Sequence, residues 1–386
     1  LPTPDHRLEA YTLTGTPLMP RAPGIPLTRT AFAAAHVVSD PLRERNPWDS
    51  RPAIDWDATL AFRQGLWDQG LHLAEAMDTA QRGMGLDWPT AKELIRRTMA
   101  AAGAHPLRPR VACGAGTDHA APDALCNAAA IRAAYEHQME AIEAAGGQVI
   151  LMASRAFPAI GAGADIYHAV YRHLIDSART PVILHWLGEM FDPALAGYWG
   201  STDIRAATRL VLDLIAENPA RVDGIKLSLL DQAHEQALRA RLPDGVRLYT
   251  GDDFNYADLI AGDGRRHSHA LLGIFAAIAP AAAQALEALA GNDTGTYHAL
   301  LAPTVPLSRE IFRPPTRFYK AGIAFLSWLN GHQSHFIMPG GFQASRDITH
   351  YAQAFRLADQ ARLLTAPDLA VSRMRLLLET HGMDQP

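Results

Sequence analysis

Residues 222–226 read VDGIK, a short apolar run that ends at a lysine and has the pattern of a buried β-strand. Seven further runs of the same kind occur along the chain, separated by polar turns and by stretches of helical period. Most are apolar at successive positions, which is typical of parallel strands covered on both faces. The predicted strands cover residues 31–38, 71–77, 110–115, 148–153, 182–187, 222–226, 246–250 and 270–274. Eight strand–helix units predict an α/β fold, a closed (β/α)₈ TIM barrel.

Helix signals lie between these strands. Asp87 precedes Pro89, which places a capping residue before a proline of the first turn and predicts a helix through residues 91–99. Apolar periodicity predicts further helices over residues 123–145, 166–178 and from Ser201 to residue 215. Residues 270–290 are apolar but rich in alanine, and they contain a proline and a glutamate. We expect a buried strand that leads into a helix there, and no membrane span.

The chain divides into three predicted parts. Residues 1–30 contain six prolines, which indicates an irregular N-terminal arm laid over the chain's own surface or over a neighbouring subunit. Residues 31–290 hold the eight strand–helix units of the barrel. Residues 291–386 are mostly helical in pattern, and we expect a C-terminal helical extension packed on the barrel.

Composition narrows the class of protein. The chain has 386 residues, of which 48% are hydrophobic and 19% are charged, as in a globular protein. The net charge of −5 argues against a cationic nucleic-acid binder. Cys113 and Cys126 form no CxxC pair, and the first residues show no signal-peptide pattern. We therefore expect a cytoplasmic protein that acts on a small molecule, with no nucleic-acid or membrane partner.

Lysine is rare in this sequence, and one lysine has a telling position. Only Lys92, Lys226 and Lys320 occur among 35 basic residues. Lys226 ends the sixth predicted strand, and the carboxyl ends of barrel strands form the active sites of TIM-barrel enzymes. Burial there would lower the pKa of the amine, and a neutral amine can attack a carbonyl to form a Schiff base. From spacing alone, a structural lysine that reaches solvent is equally compatible.

A collinear set of short motifs resembles one known superfamily. The segments are VACGAG at 111–116, AAGGQVIL at 144–151, PVILH at 181–185, VDGIKLSLLD at 222–231 and LYTGDD at 248–253. Together they resemble the dihydrodipicolinate synthase / N-acetylneuraminate lyase superfamily of class I aldolases, and more narrowly a divergent branch catalogued as a domain of unknown function. The resemblance implies a TIM barrel with a helical extension, Lys226 as the Schiff-base nucleophile, and a homodimer or homotetramer.

The sequence departs from this superfamily at two places. His185 stands where a tyrosine usually relays protons, and it could relay protons, bind a metal or fill the core. The turn after the second strand, usually GTTGE, here reads MDTAQRG over residues 77–83. Only Thr79 matches a hydroxyl position, and Asp78 would repel a substrate carboxylate unless it is protonated or paired. Asp78 could instead accept hydrogen bonds from sugar hydroxyls, bind a metal or cap the next helix.

Other polar residues are expected at the same end of the barrel. Arg155 could hold an anionic group or pair with a nearby acid, and one of the two aspartates after Gly251 could simply fix backbone amides of the turn. The predicted substrate-binding residues are Asp78, Thr79, Ser154, Arg155, Gly251, Asp252 and Asp253.

Three functions remain open from the sequence. The first is a Schiff-base lyase, aldolase or dehydratase of carbohydrate metabolism that acts on a small oxo-acid or sugar-derived oxo compound, with Lys226 as nucleophile, His185 as proton relay and no cofactor. The second is a metal-dependent TIM-barrel lyase, isomerase or hydrolase. Its divalent ion would be held by His36, Asp78, His185, Glu189 and His269. The third is a non-catalytic barrel with a binding role.

Overall fold

The computed structural model describes residues 1–5, 7–43 and 52–383. Eight parallel strands form a closed barrel in which each strand pairs with the next and the last pairs with the first. The strands are β1 Ala31–Ala34, β2 His72–Glu75, β3 Val111–Ala115, β4 Gln148–Leu151, β5 Val182–Leu187, β6 Val222–Ser228, β7 Arg247–Thr250 and β8 His269–Leu272. All eight predicted strands and the predicted TIM barrel are therefore confirmed.

Helices follow the strands and then continue beyond the barrel. Those associated with the barrel are α1 Trp56–Asp68, α2 Trp88–Ala104, α3 Ala128–Ala144, α4 Ala156–Ala159, α5 Ala164–Ser177, α6 Ile204–Glu217, α7 Gln232–Arg239, α8 Tyr256–Ala261 and α9 Ala279–Ala290. Those of the C-terminal extension are α10 Thr294–Leu301, α11 Thr304–Ile311, α12 Lys320–Leu329, α13 Ile348–Gln360 and α14 Pro367–Thr380. The division into arm, barrel and extension remains our interpretation of the chain.

Local sequence explains most helix ends. The Asp87 carboxylate accepts a hydrogen bond from the Thr90 amide, as the predicted cap of α2 requires. The helix predicted over residues 123–145 begins later than expected, because the Asn127 side chain caps α3 and residues 122–124 form a separate 3₁₀ turn. None of the described helices is long and apolar enough to cross a membrane.

Alternation along the strands decides which side chains enter the barrel. Small and medium apolar residues fill its interior: Phe32, Ala34, Ala74, Met77, Ala112, Ile150, Met152, Ile183, Tyr249 and Leu271. On β6, Ile225 and Leu227 belong to the layer between the strands and the helices, so Lys226 between them faces inward. A Cβ atom on Gly224 would lie 2.7 Å from the Tyr249 ring, whose hydroxyl donates to Asp223 at 2.6 Å. Tyr249 therefore fills the amino-terminal half of the interior, at the opposite end from the loops that follow the strands.

The N-terminal arm lies on the helices of its own chain. The Asp359 carboxylate on α13 accepts hydrogen bonds from the Tyr11 hydroxyl at 2.7 Å and from the Thr14 and Gly15 amides at 2.9 Å each. A Cβ atom on Gly15 would lie 2.1 Å from the Asp359 carbonyl oxygen, so this close approach requires glycine. Of the two predicted positions of the arm, the structure shows the one on the chain's own surface.

We predict that Asp359→Ala releases the arm and lowers the free energy of unfolding by about 1.5–3 kcal/mol, the usual loss for hydrogen bonds to a charged acceptor. Urea unfolding would measure the loss, and limited proteolysis would show new cleavage before residue 20. Asp213→Asn is the matched control, because Asp213 is exposed on α6. Equal stability of the two variants would contradict the role of Asp359.

Candidate active site

Lys226 occupies the carboxyl-terminal half of the barrel interior. It is in register with His185 on β5 and with Tyr249 on β7, and only 8% of its surface is exposed. Burial lowers the pKa of its amine, and the carboxylates of Asp78 and Asp253 partly oppose that shift. Because β6 continues to Ser228, Lys226 lies near the carboxyl end of the strand and not at its last residue as predicted, and its amine has the environment of a potential nucleophile.

Gly251 makes room for the lysine. Its amide donates to the Leu227 carbonyl at 2.8 Å, which holds the turn after β7 against β6. A Cβ atom at this position would lie 2.9 Å from the Lys226 Cε atom and 2.1 Å from the Ser228 hydroxyl oxygen. Any larger residue would therefore displace the Lys226 side chain.

Asp253 is the buried acid beside Lys226. Its carboxylate accepts a hydrogen bond from the Ile274 amide at 3.1 Å, and its carbonyl oxygen accepts one from the Ser308 hydroxyl at 2.5 Å. Burial raises the pKa of Asp253 to about 7, although the Ile274 amide and the Lys226 charge both act to lower it. A carboxyl group with this pKa can donate or accept a proton near neutral pH.

Asp252, in contrast, stabilises the turn itself. Its carboxylate accepts hydrogen bonds from the Phe254 and Asn255 amides at 2.9 and 3.0 Å, and from the Asn255 side chain at 2.8 Å. Of the two aspartates, Asp252 thus fixes the amides of its own turn, whereas Asp253 bonds to the Ile274 amide and is the one whose charge acts on Lys226.

The turn after β2 meets the C-terminal extension. The hydroxyl oxygens of Thr79 and Tyr319 lie 2.7 Å apart, and the Tyr319 ring stacks on Phe312 with a centroid distance of 4.3 Å. Burial raises the pKa of Tyr319 well above its usual value, so the phenol stays protonated. Asp78 is half-buried, and its charge acts on both Lys226 and Tyr319. The extension therefore places a phenol at the same end of the barrel as the lysine.

Lys320, the neighbour of Tyr319, is a second buried lysine that the sequence reasoning left unassigned. It is 2% exposed, and its Nζ atom contacts the Met84 Sδ atom at 3.2 Å. Burial lowers the pKa of Lys320 to about 8, while Asp78 acts to raise it. The scarcity of lysine is the feature of the sequence that could have identified this residue. Two of the three lysines of the chain lie close enough to Asp78 for its charge to raise their pKa values.

His185 is buried beside Lys226 as an uncharged ring. Burial and the Lys226 charge hold the pKa of His185 well below its usual value. Its Nε2 atom lies 3.4 Å from the Ser228 hydroxyl oxygen, and its Nδ1 atom has no hydrogen-bond partner among the described residues. At neutral pH the ring therefore carries one N–H proton and one acceptor nitrogen, and not the second proton of the charged form.

Ser154 and Arg155 already have partners in the structure. The Ser154 hydroxyl lies 2.7 Å from the Thr117 hydroxyl and accepts from the Ala156 amide. Arg155 is 63% exposed and donates to the Asp192 carboxylate at 2.5 Å, so of its two predicted roles the pairing with an acid is the one seen.

The metal set predicted in the second reading does not come together. His269 is the first residue of β8 and accepts from the Thr30 amide, so it lies at the amino-terminal end of the barrel, and its predicted place beside Lys226 was wrong. His36 bonds to Gln333 at 2.7 Å, and Glu189 is exposed. In the described part of the chain, no group of three or more histidines, cysteines or acidic residues could hold a metal ion.

The family described as "Protein of unknown function (DUF993)" matches residues 1–383. The chain belongs to this family. A search of curated proteins gave no match.

Solved structures with similar folds are dihydrodipicolinate synthase relatives. YagE from E. coli K12, a prophage protein of the dihydrodipicolinic acid synthase family solved with pyruvate, is 16% identical with a TM-score of 0.66, over 87% of this chain and 99% of that one. Dihydrodipicolinate synthase from Bacillus clausii is 16% identical with a TM-score of 0.64, over 86% and 98%. The enzyme from Aquifex aeolicus is 11% identical with a TM-score of 0.60, over 92% and 99%. The likeness confirms the fold that the motifs implied.

We predict that Asp78 and Asp253 have different effects on the pKa values of Lys226 and Lys320. Asp78→Asn should lower the pKa of both Lys226 and Lys320, because the lost carboxylate raises both values. Asp253→Asn should lower the pKa of Lys226 alone. Carbon-13 labelling of the lysine side chains gives three signals whose pH titration by NMR measures these shifts.

The exposed loop variant Glu189→Gln is the control, and neither buried lysine should change its titration in it. A Lys320 pKa that falls equally in the Asp78 and Asp253 variants would contradict the arrangement described.

Proposed function

We propose that this protein is a Schiff-base lyase, aldolase or dehydratase of the class I type, in which Lys226 attacks the carbonyl group of a small oxo compound. The observation that carries this proposal is the amine of Lys226, buried at the carboxyl end of β6 between the charges of Asp78 and Asp253. The fold shared with dihydrodipicolinate synthases supports it.

The first step requires a neutral amine. The lowered pKa of Lys226 increases the fraction of the amine that is uncharged at neutral pH, and its nitrogen then forms a bond to the carbonyl carbon. The carbonyl oxygen becomes a hydroxyl, which leaves as water after it takes up a proton. In a lyase or aldolase, the resulting iminium ion accepts the electron pair of a neighbouring C–C bond, which breaks to leave an enamine. In a dehydratase, the iminium ion first loses a proton from the neighbouring carbon, and the electrons of the enamine then expel a hydroxyl group, which takes up a proton and leaves as water.

In this proposal, Asp253 carries the proton that the departing hydroxyl needs. Its pKa of about 7 means that a substantial part of the carboxyl groups is protonated at neutral pH, and the conjugate base can take the proton back. Because Asp253 and Lys226 interact, their protons titrate as a coupled pair.

We assign His185 the role of a neutral proton relay. The Ser228 hydroxyl lies 3.4 Å from its Nε2 atom, and its Nδ1 atom is without a partner among the described residues. The ring takes up a proton at one nitrogen while it releases the proton from the other.

The substrate is a small oxo-acid or a sugar-derived oxo compound. The half-buried Asp78 can accept hydrogen bonds from sugar hydroxyls, and the Tyr319 phenol beside Thr79 is a neutral donor. A cytoplasmic location and a homodimeric or homotetrameric state remain predictions from the sequence.

Borohydride trapping tests the nucleophile. We expect an oxo compound from a panel of 2-oxo acids and 3-oxo sugars to leave a reduced adduct on Lys226, detected by peptide mass spectrometry. Lys226→Ala should abolish the adduct, and Lys92→Met, a change at the exposed lysine of α2, should keep it. No adduct in folded protein, or an adduct on Lys320 instead of Lys226, would contradict the proposal.

The role of Asp253 has its own test. Asp253→Asn should slow adduct formation by about a hundredfold or more, within the range for loss of a general acid. The same change lowers the pKa of Lys226 and so increases its neutral fraction, which by itself would speed the attack. Trapping that is slower in Asp253→Asn than in Glu189→Gln over the pH range would therefore show that the variant has lost proton transfer. A rate equal to that of the wild type would remove Asp253 from the mechanism.

A further inference from the structure

Lys320 is the first residue of α12, and the mechanism proposed above does not use it. It is 2% exposed, and among the described residues its Nζ atom contacts the thioether sulfur of Met84 at 3.2 Å and lies 5.5 Å from the centroid of the Tyr319 ring. An ammonium group has three N–H donors, and sulfur is a weak acceptor. Among the described residues, no oxygen atom accepts a hydrogen bond from this ammonium.

A buried ammonium in this state is costly. Burial of a charge is tolerated when the charge is paired and hydrogen-bonded. Asp78 is the acidic neighbour whose charge raises the pKa of Lys320, but among the described residues it forms no ion pair with the lysine within 4.0 Å. The start of a helix is also an unfavourable place for a cation, because the amino-terminal end of the helix dipole is positive. The Tyr319 side chain makes no capping hydrogen bond there.

The other charged groups near Lys320 are also cations. Arg155 and Arg317 lie close enough to act on it. Arg155 is already paired with Asp192, whereas Arg317 stacks over the Phe318 ring and contacts no carboxylate in the described residues. Positive charge therefore exceeds negative charge around this ammonium, and none of the described carboxylates forms an ion pair with it.

We propose that Lys320 binds an anionic group of the substrate, a carboxylate or a phosphate, while Lys226 reacts with its oxo group. This inference rests on the proposed function, and it narrows the substrate to an acidic oxo compound. An anion at Lys320 would supply the missing acceptor, and the positive charge of Lys320 would offset the repulsion between that anion and Asp78. It also assigns the C-terminal extension a direct part in substrate recognition.

The first test needs no reaction. Inorganic phosphate and acetate are titrated into the wild type, Lys320→Met and Lys92→Met, with the thermal unfolding midpoint and the carbon-13 lysine signals as readouts. We expect at least one anion to shift the Lys320 signal and to raise the midpoint of the wild type and of Lys92→Met. In Lys320→Met the apparent affinity should fall about ten- to hundredfold, the loss of one charge-assisted hydrogen bond.

Stability without anions separates binding from a structural role. A methionine at position 320 would lie beside Met84 and remove an unsatisfied buried charge, so Lys320→Met should be at least as stable as the wild type. A marked loss of stability together with unchanged anion affinity would overturn the proposal.

The second test compares matched electrophiles in the trapping reaction at Lys226. Dihydroxyacetone phosphate is compared with dihydroxyacetone, and pyruvate with its methyl ester, in the wild type and in Lys320→Met. The variant should lose about ten- to hundredfold in trapping of the anionic member of one pair and keep the rate for the neutral member. The pair that responds distinguishes phosphate from carboxylate. Equal losses for both members would overturn the proposal.

Failure of the two proposals can be told apart. If no compound is trapped at Lys226, but anion binding disappears in Lys320→Met, the Schiff-base function fails and the anion site stands. If trapping at Lys226 succeeds, but the affinity for phosphate and for acetate is unchanged in Lys320→Met, the Schiff-base function stands and the anion site fails.

Discussion

Burial of the Lys226 amine inside a closed barrel is the constraint on which the candidate site depends. Water cannot solvate the ammonium there, so the uncharged form gains and the pKa falls. The same burial raises the pKa of Asp253 to about 7, so the pKa values of this acid and of the amine lie closer together than they would in water. Neither group would be useful if the strand ends were open to solvent. The closed ring of eight strands, with an apolar interior and no side chain at Gly251, is what gives the amine this environment.

The helices after the barrel complete the site. Ser308 on α11 bonds to the Asp253 carbonyl oxygen, Tyr319 bonds to Thr79, and Lys320 begins α12 beside Met84. Each contact joins a loop at the carboxyl end of a barrel strand to the extension. The extension therefore holds the loop of Asp253 in place and brings a phenol and a second amine to the same end of the barrel as Lys226.

The sequence predicted the barrel well because the signal is local and repeated. An apolar run of five to eight residues marks each strand, and the end of such a run places Lys226 and the turn at residues 251–253. Lys320 and Tyr319 could not be found in this way, because they lie on an extension whose helical pattern says nothing about which barrel end it covers. The pairing of Arg155 was equally hidden, since its partner Asp192 is 37 residues away. The placement of His269 failed for a simpler reason: a residue at the start of a parallel strand lies at the opposite end of the barrel from the residues that follow the strands.

Asp78 shows how the departures from the superfamily pattern fit together. Alone, this carboxylate in the turn after β2 would repel an acidic substrate. In the folded chain it acts on two buried lysines at once, and it raises the pKa of both. The iminium ion formed at Lys226 would carry a positive charge on its nitrogen, and the Asp78 carboxylate would stabilise that charge. If Lys320 holds an anion of the substrate, the charges of lysine, carboxylate, lysine and substrate alternate. An acid at position 78 then becomes compatible with an acidic substrate, and the second lysine is the residue that makes it so.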